Sequence, residues 1–396
     1  MRLEGLDIAV IGAGIGGLAA ATALAQRRAR VRVYEQAVSL GEVGAGIQIA
    51  PNGVAVLEAL GMRDAAETCA SLQQTVELVD HRRERCVARV PLGSAIVARH
   101  GRPYWQFHRA DLLAVLADAA REAGVELSLA TPVTALQPDA TGVRVAAAGA
   151  EDRYDLVIAA DGVRSPVRTA HFRASPARFA RHVAWRAIVP AARAPEALVR
   201  PLVRLTMGSG RHLVSYPLRR ASCVNLVAIE QRELWAEEGW SIPDDPARLR
   251  RAFAGWGGAA GALIDAVEEC WLWGLFDHAP LASWCTRRLA LLGDACHPML
   301  PFLAQGATMA LEDAWVLADC LDLAEDPGAG LLAYSTARIA RASRVQRAAA
   351  RAGRVYHLGP PLRAPVQATL SAVSALAPAL LTGRFDWLYG HDVTTG

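Results

Sequence analysis

Three short motifs contain the side chains and spacings best suited to chemistry, and each follows a run of apolar residues. The first is Gly12-Ala13-Gly14-Ile15-Gly16-Gly17, which has the spacing GxGxxG. In such a turn the first glycine allows a tight bend, the second lets a pyrophosphate approach the backbone, and the third allows close packing of helix on strand. Glu35 ends the next apolar run, where an acid binds ribose hydroxyls. The pattern predicts a dinucleotide site, and NAD and FAD both fit it.

The second and third motifs also follow apolar runs. Asp161-Gly162-Val163-Arg164-Ser165-Pro166-Val167-Arg168 is equally well explained as a strand-to-helix turn, with Ser165 as N-cap and Pro166 at the first helical position. The third motif, residues 293–307, places Asp294 at the carboxyl end of a predicted strand, where open α/β sheets bind ligands. Its loop leads into a helix that begins near Gly306, and a helix amino end favours negative charge.

The composition excludes several classes of chemistry. The 396 residues contain no lysine, so all 42 basic residues are arginine. Schiff-base catalysis and a Walker-type phosphate loop both need a lysine and are therefore excluded. The net charge of +3 gives no reason to expect nucleic acid or an anionic membrane surface as partner. With 53% hydrophobic residues and 20% charged residues, a mainly disordered chain is excluded as well.

The seven cysteines are widely spaced and form no CxxC pair. We expect reduced, mostly buried thiols, with neither a disulfide framework nor a metal site, since the Cys296-His297 pair lacks further ligands. The apolar run 8–11 is too short for a signal peptide, and the run 365–382 is too interrupted for a span of about 20 residues. We expect a cytoplasmic protein without a membrane span, as a monomer or homodimer.

The elements that must position these motifs follow from the apolar patterns. A strand at 7–11, a helix at 18–28 and a strand at 31–34 make a βαβ unit around the first motif. Further strands are predicted at 125–129, 143–145, 156–159 and 289–292, and further helices at 109–123, 304–322 and 331–354. Between 180 and 230 short strands such as 213–216 and 224–229 predict a separate sheet. We also expect the segment 365–382 to be a packed helix.

Together with GAGIQIAPN at 44–52 and HRADLL at 108–113, the three motifs resemble the group A flavoprotein monooxygenases, the single-component aromatic hydroxylases. The sequence is similar to salicylate hydroxylase and 6-hydroxynicotinate 3-monooxygenase over most of its length. The resemblance implies tightly bound, non-covalent FAD in the glycine turn, and NADH or NADPH as a transient electron donor. It implies a Rossmann-like FAD-binding domain of glutathione-reductase type, an inserted mainly β substrate domain and a C-terminal helical segment.

The domain boundaries predicted on this basis divide the chain into six segments. The FAD-binding domain takes 1–75, 98–171 and 281–330, the substrate domain takes 76–97 and 172–280, and C-terminal helices take 331–396.

The resemblance also assigns contacts with FAD. It implies that the glycine turn holds the pyrophosphate, that the acid after the second strand binds the adenosine ribose, and that the third motif holds the ribityl chain and the pyrimidine edge of the flavin. It links Asp161 and Arg164 to both FAD and the nicotinamide nucleotide. The implied cofactor-binding residues are Gly12, Ala13, Gly14, Gly17, Glu35, Gln36, Arg109, Val133, Asp161, Arg164, Asp294, Gly306 and Ala307.

The implied reaction hydroxylates a phenolic or related aromatic acid, such as a salicylate-like acid, with dioxygen through a flavin C4a-hydroperoxide. Such a site must exclude water and favour the phenolate, and a histidine or tyrosine can relay the phenolic proton. His212 and Tyr216 share one face of a predicted strand, since side chains alternate with period two, and both are predicted to line the substrate pocket. A core position for Tyr216 and a solvent-facing position for His212 are the alternatives.

Gln48, Arg186 and Phe302 are further predicted to bind the substrate, and Pro301 is predicted to act in catalysis together with His212 and Tyr216. Gln48 lies in the glycine-rich stretch, Arg186 is a candidate partner for a substrate carboxylate or for a structural acid, and Pro301 and Phe302 are expected over the flavin ring. Relatives that act on hydroxynicotinate have additional histidines where this chain has Gln48 and Phe302, which favours a phenolic acid. The alternative functions are an FAD-dependent oxidase or reductase, an epoxidase of a non-aromatic or secondary-metabolite substrate, and a nucleotide-sensing module without catalysis.

Overall fold

A computed structural model describes residues 3–41, 46–234 and 242–395, which form 19 β-strands and 14 α-helices. The strands are β1 (Asp7–Ile11), β2 (Arg30–Tyr34), β3 (Gly46–Ile49), β4 (Ser71–Leu72), β5 (Thr75–Asp80), β6 (Arg85–Pro91), β7 (Trp105–His108), β8 (Glu126–Ser128), β9 (Val133–Pro138), β10 (Val143–Ala147), β11 (Ala150–Tyr154), β12 (Leu156–Ala159), β13 (Arg178–Pro190), β14 (Leu202–Gly208), β15 (Arg211–Leu218), β16 (Cys223–Gln231), β17 (Ile242–Asp244), β18 (Cys270–Asp277) and β19 (Leu289–Leu291).

The helices are α1 (Ile15–Gln26), α2 (Pro51–Ala59), α3 (Arg63–Cys69), α4 (Gly93–His100), α5 (Arg109–Glu122), α6 (Pro166–His171), α7 (Glu196–Val199), α8 (Pro246–Ala252), α9 (Gly258–Asp265), α10 (Gly306–Leu323), α11 (Pro327–Tyr356), α12 (Arg363–Leu376), α13 (Pro378–Gly383) and α14 (Asp386–Tyr389).

A five-stranded parallel sheet, in the order β19-β12-β1-β2-β8, positions all three motifs. Strands β1, β12 and β19 are short, nearly continuous apolar runs, and all four residues of β12 are buried, as in a parallel sheet covered on both faces. The predicted βαβ unit is confirmed as β1, α1 and β2. Because ligands of such sheets bind beyond the carboxyl ends of the strands, the turns after β1, β12 and β19 mark the functional edge.

Three helix starts differ from the predicted ones for physical reasons. Helix α1 begins at Ile15, three positions before the predicted start, because Gly16 and Gly17 already belong to its first turn. Helix α10 begins at Gly306, since Ala304 adopts a left-handed backbone with φ of 52° that ends the preceding short 3-10 helix Pro301–Leu303. Helix α11 is longer than predicted at both ends, and Asp326 caps its start by accepting hydrogen bonds from two backbone N–H groups.

An eight-stranded sheet, in the order β17-β18-β13-β16-β15-β14-β5-β6, forms the other large layer. Strands β5 and β6 come from an early part of the chain and join it through the parallel pair β5–β14. One face of the sheet is buried against α8 and α9, with Trp185 and Leu263 among the core residues. Side chains alternate along each strand, so the residues between these core positions face the first sheet.

Smaller elements complete the frame. Strands β9, β10 and β11 form an antiparallel sheet, and β3, β7 and β4 form another. The glycine-rich stretch is described only from Gly46 onward, and residues 42–45, including Gly44 and Ala45 of GAGIQIAPN, lie outside the described residues. The segment 365–382 forms α12 and α13 rather than one helix, and α12 contains no fully buried residue.

The cysteines are all free, but only three are buried. Cys223, Cys270 and Cys296 are buried and the other four are half-exposed, so the expectation of mostly buried thiols is wrong. Desolvation raises the pKa of Cys270 to about 11. Among the described residues, every helix is too short or too polar to span a lipid bilayer.

Candidate active site

A cavity of about 450 Å³ lies between the carboxyl edge of the parallel sheet and the inner face of the eight-stranded sheet. Residues predicted to bind a cofactor and residues predicted to bind a substrate line the same cavity. The cofactor group in the wall comprises Gly14, Gly17, Arg109, Asp294, Gly306 and Ala307. The substrate and catalytic group comprises Gln48, Arg186, His212, Tyr216, Pro301 and Phe302. Seven predicted residues lie outside this wall: Gly12, Ala13, Glu35, Gln36, Val133, Asp161 and Arg164.

The glycines of the first motif differ in the space that a side chain would find at each position. Gly12 has φ of 101°, and a Cβ there would lie 2.5 Å from the carbonyl oxygen of Ala160. A Cβ at Gly17 would collide with the carbonyl oxygen of Gly12, so both glycines are needed for the turn itself. A Cβ at Gly14 would meet no described atom within 4 Å. The open space at Gly14, at the amino end of α1, therefore fits a phosphate of a dinucleotide.

Glu35 lies beside the glycine turn and at the end of β2. Its carboxylate accepts hydrogen bonds from the N–H groups of Ala13 and Ala37, each at 2.8 Å. Its carbonyl oxygen accepts from Thr131 N–H at 2.8 Å, which brings the start of β9 and Val133 to the same edge. Gln36 is exposed next to it. The carboxylate thus holds the turn in place, and an extended dinucleotide that starts at the cavity would reach Glu35 and Val133 at its adenosine end.

The third motif places a carboxylate and a helix amino end in the cavity wall. Asp294 follows Gly293, and Gly306 and Ala307 are the first residues of α10. Desolvation raises the pKa of Asp294, and the charges of His297, Arg109 and Arg186 oppose that rise. Hydroxyl groups of a ribityl chain suit such a carboxylate, and the first amides of α10 suit an electron-rich ring edge. These donors and the space at Gly14 fit FAD.

Behind this wall a buried ionic network joins α10 to α11. Arg338 pairs with Glu312 and Asp313, each at 2.7 Å, and all three side chains are at most 2% exposed. His297 also pairs with Asp313, and Asn52 donates to Glu312 at 2.7 Å. Burial disfavours the charged form of His297, yet the carboxylate of Asp313 raises its pKa well above 6.5.

The cluster of Cys296, His297 and Asp313 has the geometry of a possible metal site, with ligand atoms within 4.8 Å of one another. Asp313 is already paired with His297 and Arg338. The charges are therefore balanced without a metal ion, and we interpret the cluster as structural.

The second motif is a capped turn that supports the third. Ser165 accepts a hydrogen bond from Arg168 N–H at 2.8 Å, with Pro166 at the first helical position, as predicted. The buried guanidinium of Arg168 donates to the carbonyl oxygens of Ala295 at 3.0 Å and Cys296 at 2.9 Å. Arg168 thus ties the second motif to the third, a role that the sequence did not indicate.

Asp161 and Arg164, the two residues of the second motif assigned to nucleotide contacts, lie behind or outside the cavity wall. The carboxylate of Asp161 accepts from Val167 N–H at 3.4 Å. Arg164 is exposed, and its guanidinium lies 5.9 Å from the ring centre of Phe276. Asp161 lies against the glycine turn, since a Cβ at Gly12 would lie 3.4 Å from its Cα, whereas the exposed Arg164 is not among the wall residues.

On the substrate side, strand β15 presents His212 and Tyr216 to the cavity, where they are 1% and 2% exposed. A solvent-facing position for His212 is therefore wrong. Tyr216 both lines the cavity and packs in the core. Gly46 makes room for it, since a Cβ at that position would lie 2.5 Å from the Tyr216 hydroxyl.

Gln48 joins two phenols in the wall. It accepts from the hydroxyl of Tyr104 at 2.9 Å, and it lies close enough to Tyr216 to lower the pKa of that phenol. Desolvation raises the pKa of Tyr216, and the hydrogen bond from Gln48 and the charge of Arg186 lower it in part. The guanidinium of Arg186 lies 5.1 Å from the ring centre of Trp273. The aromatic ring of Phe302 lies 5.4 Å from that of His212.

The C-terminal helices supply wall residues that no motif indicated. Tyr356 comes from the end of α11, Arg384 follows α13, and Tyr389 ends α14. Tyr104 and Tyr389 pack edge to face with ring centres 5.7 Å apart. These residues are isolated in the sequence, and only the packing of the helices brings them to the cavity.

Comparison with known proteins agrees with this geometry. The profile of the family described as FAD binding domain matches residues 5–349. The chain is 37% identical to a 3-amino-4-hydroxybenzoate 2-monooxygenase of Streptomyces platensis over 97% of this chain and 96% of that protein. It is 35% identical to a 6-hydroxynicotinate 3-monooxygenase of Bordetella bronchiseptica over 86% of this chain and 89% of that protein.

The fold of the chain also resembles that of a solved structure. The chain superimposes on salicylate hydroxylase in a substrate complex with a TM-score of 0.81 and 26% identity, covering 98% of this chain and 96% of that one. All three proteins are named for hydroxylated aromatic acids. The chain therefore belongs to the FAD binding domain family and is an FAD-dependent monooxygenase of aromatic acids, with NAD(P)H as the usual electron donor of such enzymes.

Proposed function

We propose that the cavity binds FAD along the parallel sheet and a hydroxylated aromatic acid between the flavin and the eight-stranded sheet. Gly14, Arg109, Asp294 and the first amides of α10 would hold the flavin half, and Glu35 the adenosine half. FAD supplies the chemistry of reduction by NAD(P)H and of dioxygen activation. The observation that carries the proposal is that the cofactor group and the substrate group of residues converge on one cavity.

The charge of the wall favours an anionic substrate. Among the described wall residues, three arginines, Arg109, Arg186 and Arg384, face one carboxylate, that of Asp294. Arg186 lines the cavity with Asp294 and Tyr216, and its positive charge lowers the pKa of both groups. We assign the substrate carboxylate to Arg186, because a guanidinium binds a carboxylate with two hydrogen bonds. Arg384 is exposed and would attract anions at the opening.

Tyr216, Gln48 and His212 suit the phenolic hydroxyl of the substrate. The phenolate is the reactive form, since its ring carries more electron density at the carbon that is hydroxylated. The Gln48 amide orients Tyr216, and His212 offers a neutral ring nitrogen as proton acceptor. Apolar side chains such as Val214 and Ile229 complete the wall and exclude water, which protects the oxygen-activating step.

The test is oxidation of NADH and NADPH by FAD-loaded protein with 3-amino-4-hydroxybenzoate, salicylate, 3-hydroxybenzoate and 6-hydroxynicotinate, the compounds that name the relatives. Product and hydrogen peroxide are assayed together. We expect at least one acid to stimulate oxidation and to give a hydroxylated product. Peroxide without product for every acid would favour an oxidase instead. Tyr216→Phe should lower product formation about a hundredfold while FAD stays bound, since general acid–base groups contribute about 10²–10⁴ in rate.

A further inference from the structure

Two histidines from distant parts of the chain meet at the cavity wall. Nδ1 of His212, on β15, lies 2.7 Å from Nε2 of His357, directly after α11. This is a direct hydrogen bond between two ring nitrogens, so one proton is shared along the line between them.

The pair spans the wall from inside to outside. His212 is 1% exposed and lines the cavity, whereas His357 is half-exposed. Nε2 of His212 hydrogen-bonds no side chain or backbone group in the described part of the chain, and it is the ring atom left for a ligand in the cavity. The two rings therefore form a continuous path between the cavity and the outer surface.

Packing holds both rings in this arrangement. The carbonyl oxygen of His357 accepts from Gly210 N–H at 3.1 Å, which fixes the end of α11 to the turn before β15. The ring of Phe302 lies 5.4 Å from His212 and 5.9 Å from His357, centre to centre. The other titratable groups that face the pair are His182, whose ring centre is 5.2 Å from that of His357, and Tyr356, 5.5 Å from His212.

We propose that His357 is the outer half of a two-histidine relay, which carries the phenolic proton of the substrate from His212 to the surface and returns it after hydroxylation. This inference rests on the function proposed above. When the phenol ionises, its proton moves to Nε2 of His212, the proton on Nδ1 of His212 moves to Nε2 of His357, and Nδ1 of His357 releases a proton to water. The reverse sequence protonates the product phenolate and restores both rings to their first tautomers.

The protonation states of His212 and His357 suit a pair that passes a proton on rather than holding it. Desolvation lowers the pKa of His212 far below 6.5, with the nearby rings of His357 and His182 adding to the effect. Desolvation and His182 lower the pKa of His357 to about 3. Both rings are therefore neutral at pH 7, and a proton that enters the pair does not rest there.

The test compares His357→Gln with His357→Phe. Gln keeps a hydrogen-bonding group beside His212 but cannot pass a proton on, and Phe keeps only the ring volume. A phenolic acid is mixed with the oxidised, FAD-loaded protein, and ionisation of the bound phenol is followed by its ultraviolet absorbance after a pH jump. We expect both variants to slow ionisation about tenfold or more, with little change in ligand Kd, and added imidazole to restore the rate of His357→Phe.

His182→Phe is the matched control, because His182 lies beside His357 but hydrogen-bonds the carbonyl of Ala180 instead. In His182→Phe the bound phenol should ionise at the wild-type rate. Unchanged ionisation in both His357 variants would overturn the relay and leave the proposed function intact. Slowing in His357→Phe alone would also overturn it, since His357 would then only position His212. If no phenolic acid binds to the wild-type holoenzyme, the proposed function itself fails.

Discussion

At the scale of single residues, two glycines of the first turn differ in the space around them. Gly17 is required by the chain itself, because its hydrogen faces the carbonyl of Gly12, whereas Gly14 faces open space. Gly14 also has φ of −73°, which any residue can adopt. The two positions therefore respond differently to the same added methyl group.

We expect Gly14→Ala to weaken FAD binding about tenfold or more, because overpacking of a close contact costs about 1–3 kcal/mol. The melting temperature of the apoprotein should stay at the wild-type value. Gly17→Ala is the matched comparison and should lower that temperature or prevent folding. Flavin fluorescence quenching gives the FAD affinity, and wild-type affinity in Gly14→Ala would contradict a pyrophosphate position at this residue.

The histidines of the cavity give a prediction about pH. The lowered pKa values of His212 and His357 keep both rings neutral well below pH 6.5, so acidification to about pH 5.5 should not protonate them. We expect the pH profile of kcat/KM to show no inflection near 6.5 that depends on His212. Steady-state assays from about pH 5.5 to 8 check this. An acidic limb near 6.5 that disappears in His212→Gln would mean that the ring titrates in the ordinary range.

At the scale of elements, α10 and α11 are joined by the buried pairs of Arg338 with Glu312 and Asp313. Desolvation raises the pKa values of both carboxyl groups, but the nearby positive charges lower them by more. Arg338 and Arg341 act on Glu312, and His297 and Arg338 act on Asp313. Both carboxylates therefore stabilise the fold at pH values above their ordinary pKa. This contribution is lost as the pH falls through their lowered pKa values.

Arg338→Gln should lower the free energy of unfolding by about 3–5 kcal/mol, because it removes a buried charge partner from both Glu312 and Asp313. Arg347, exposed on the same helix, is the matched control, and Arg347→Gln should change the stability by less than about 0.5 kcal/mol. Urea denaturation of both variants beside the wild type measures the difference. Equal stability of the two variants would show that the network contributes little.

The elements also show what the sequence was able to predict. The motifs around Gly12, Asp161 and Asp294 were predictable because each is a local turn after a buried strand, where residue order alone dictates the geometry. His212 and Tyr216 were predictable from strand alternation. Tyr104, His357 and Arg384 have no such local pattern, and their position depends on how distant helices pack. Arg168 belongs to the second motif, but the carbonyl groups that it contacts lie on the loop of the third motif. Only the folded structure brings these two loops together.

At the scale of the whole molecule, the charge of the cavity should select anionic ligands. Arg186→Gln should weaken binding of a hydroxybenzoate more than tenfold, since loss of one partner of a desolvated pair costs about 2–5 kcal/mol, and should leave the matching hydroxybenzamide unaffected. Arg384→Gln should weaken the acid at most about fivefold, and only at low salt, because exposed charges are screened.

The affinities of both variants for the acid and for the amide are measured from the perturbation of the flavin spectrum. Arg354→Gln removes an exposed arginine of α11 that is absent from the cavity wall and should change neither affinity. Equal loss of acid and amide in Arg186→Gln would mean that Arg186 shapes the site rather than pairing with the carboxylate. A large, salt-independent loss in Arg384→Gln would move the carboxylate to the opening of the cavity.

The profile of the family matches residues 5–349, yet Tyr356, Arg384 and Tyr389 of the wall come after that point. The segment that follows residue 349 reaches the same cavity as the strand residues of the substrate group, and its Leu388 also packs in the core around the parallel sheet. The shape of the site is thus divided between the region that the family profile covers and a stretch that it does not. An engineer who seeks a new substrate has fewer than fifty codons to vary in that stretch, provided that buried positions such as Leu388 are kept.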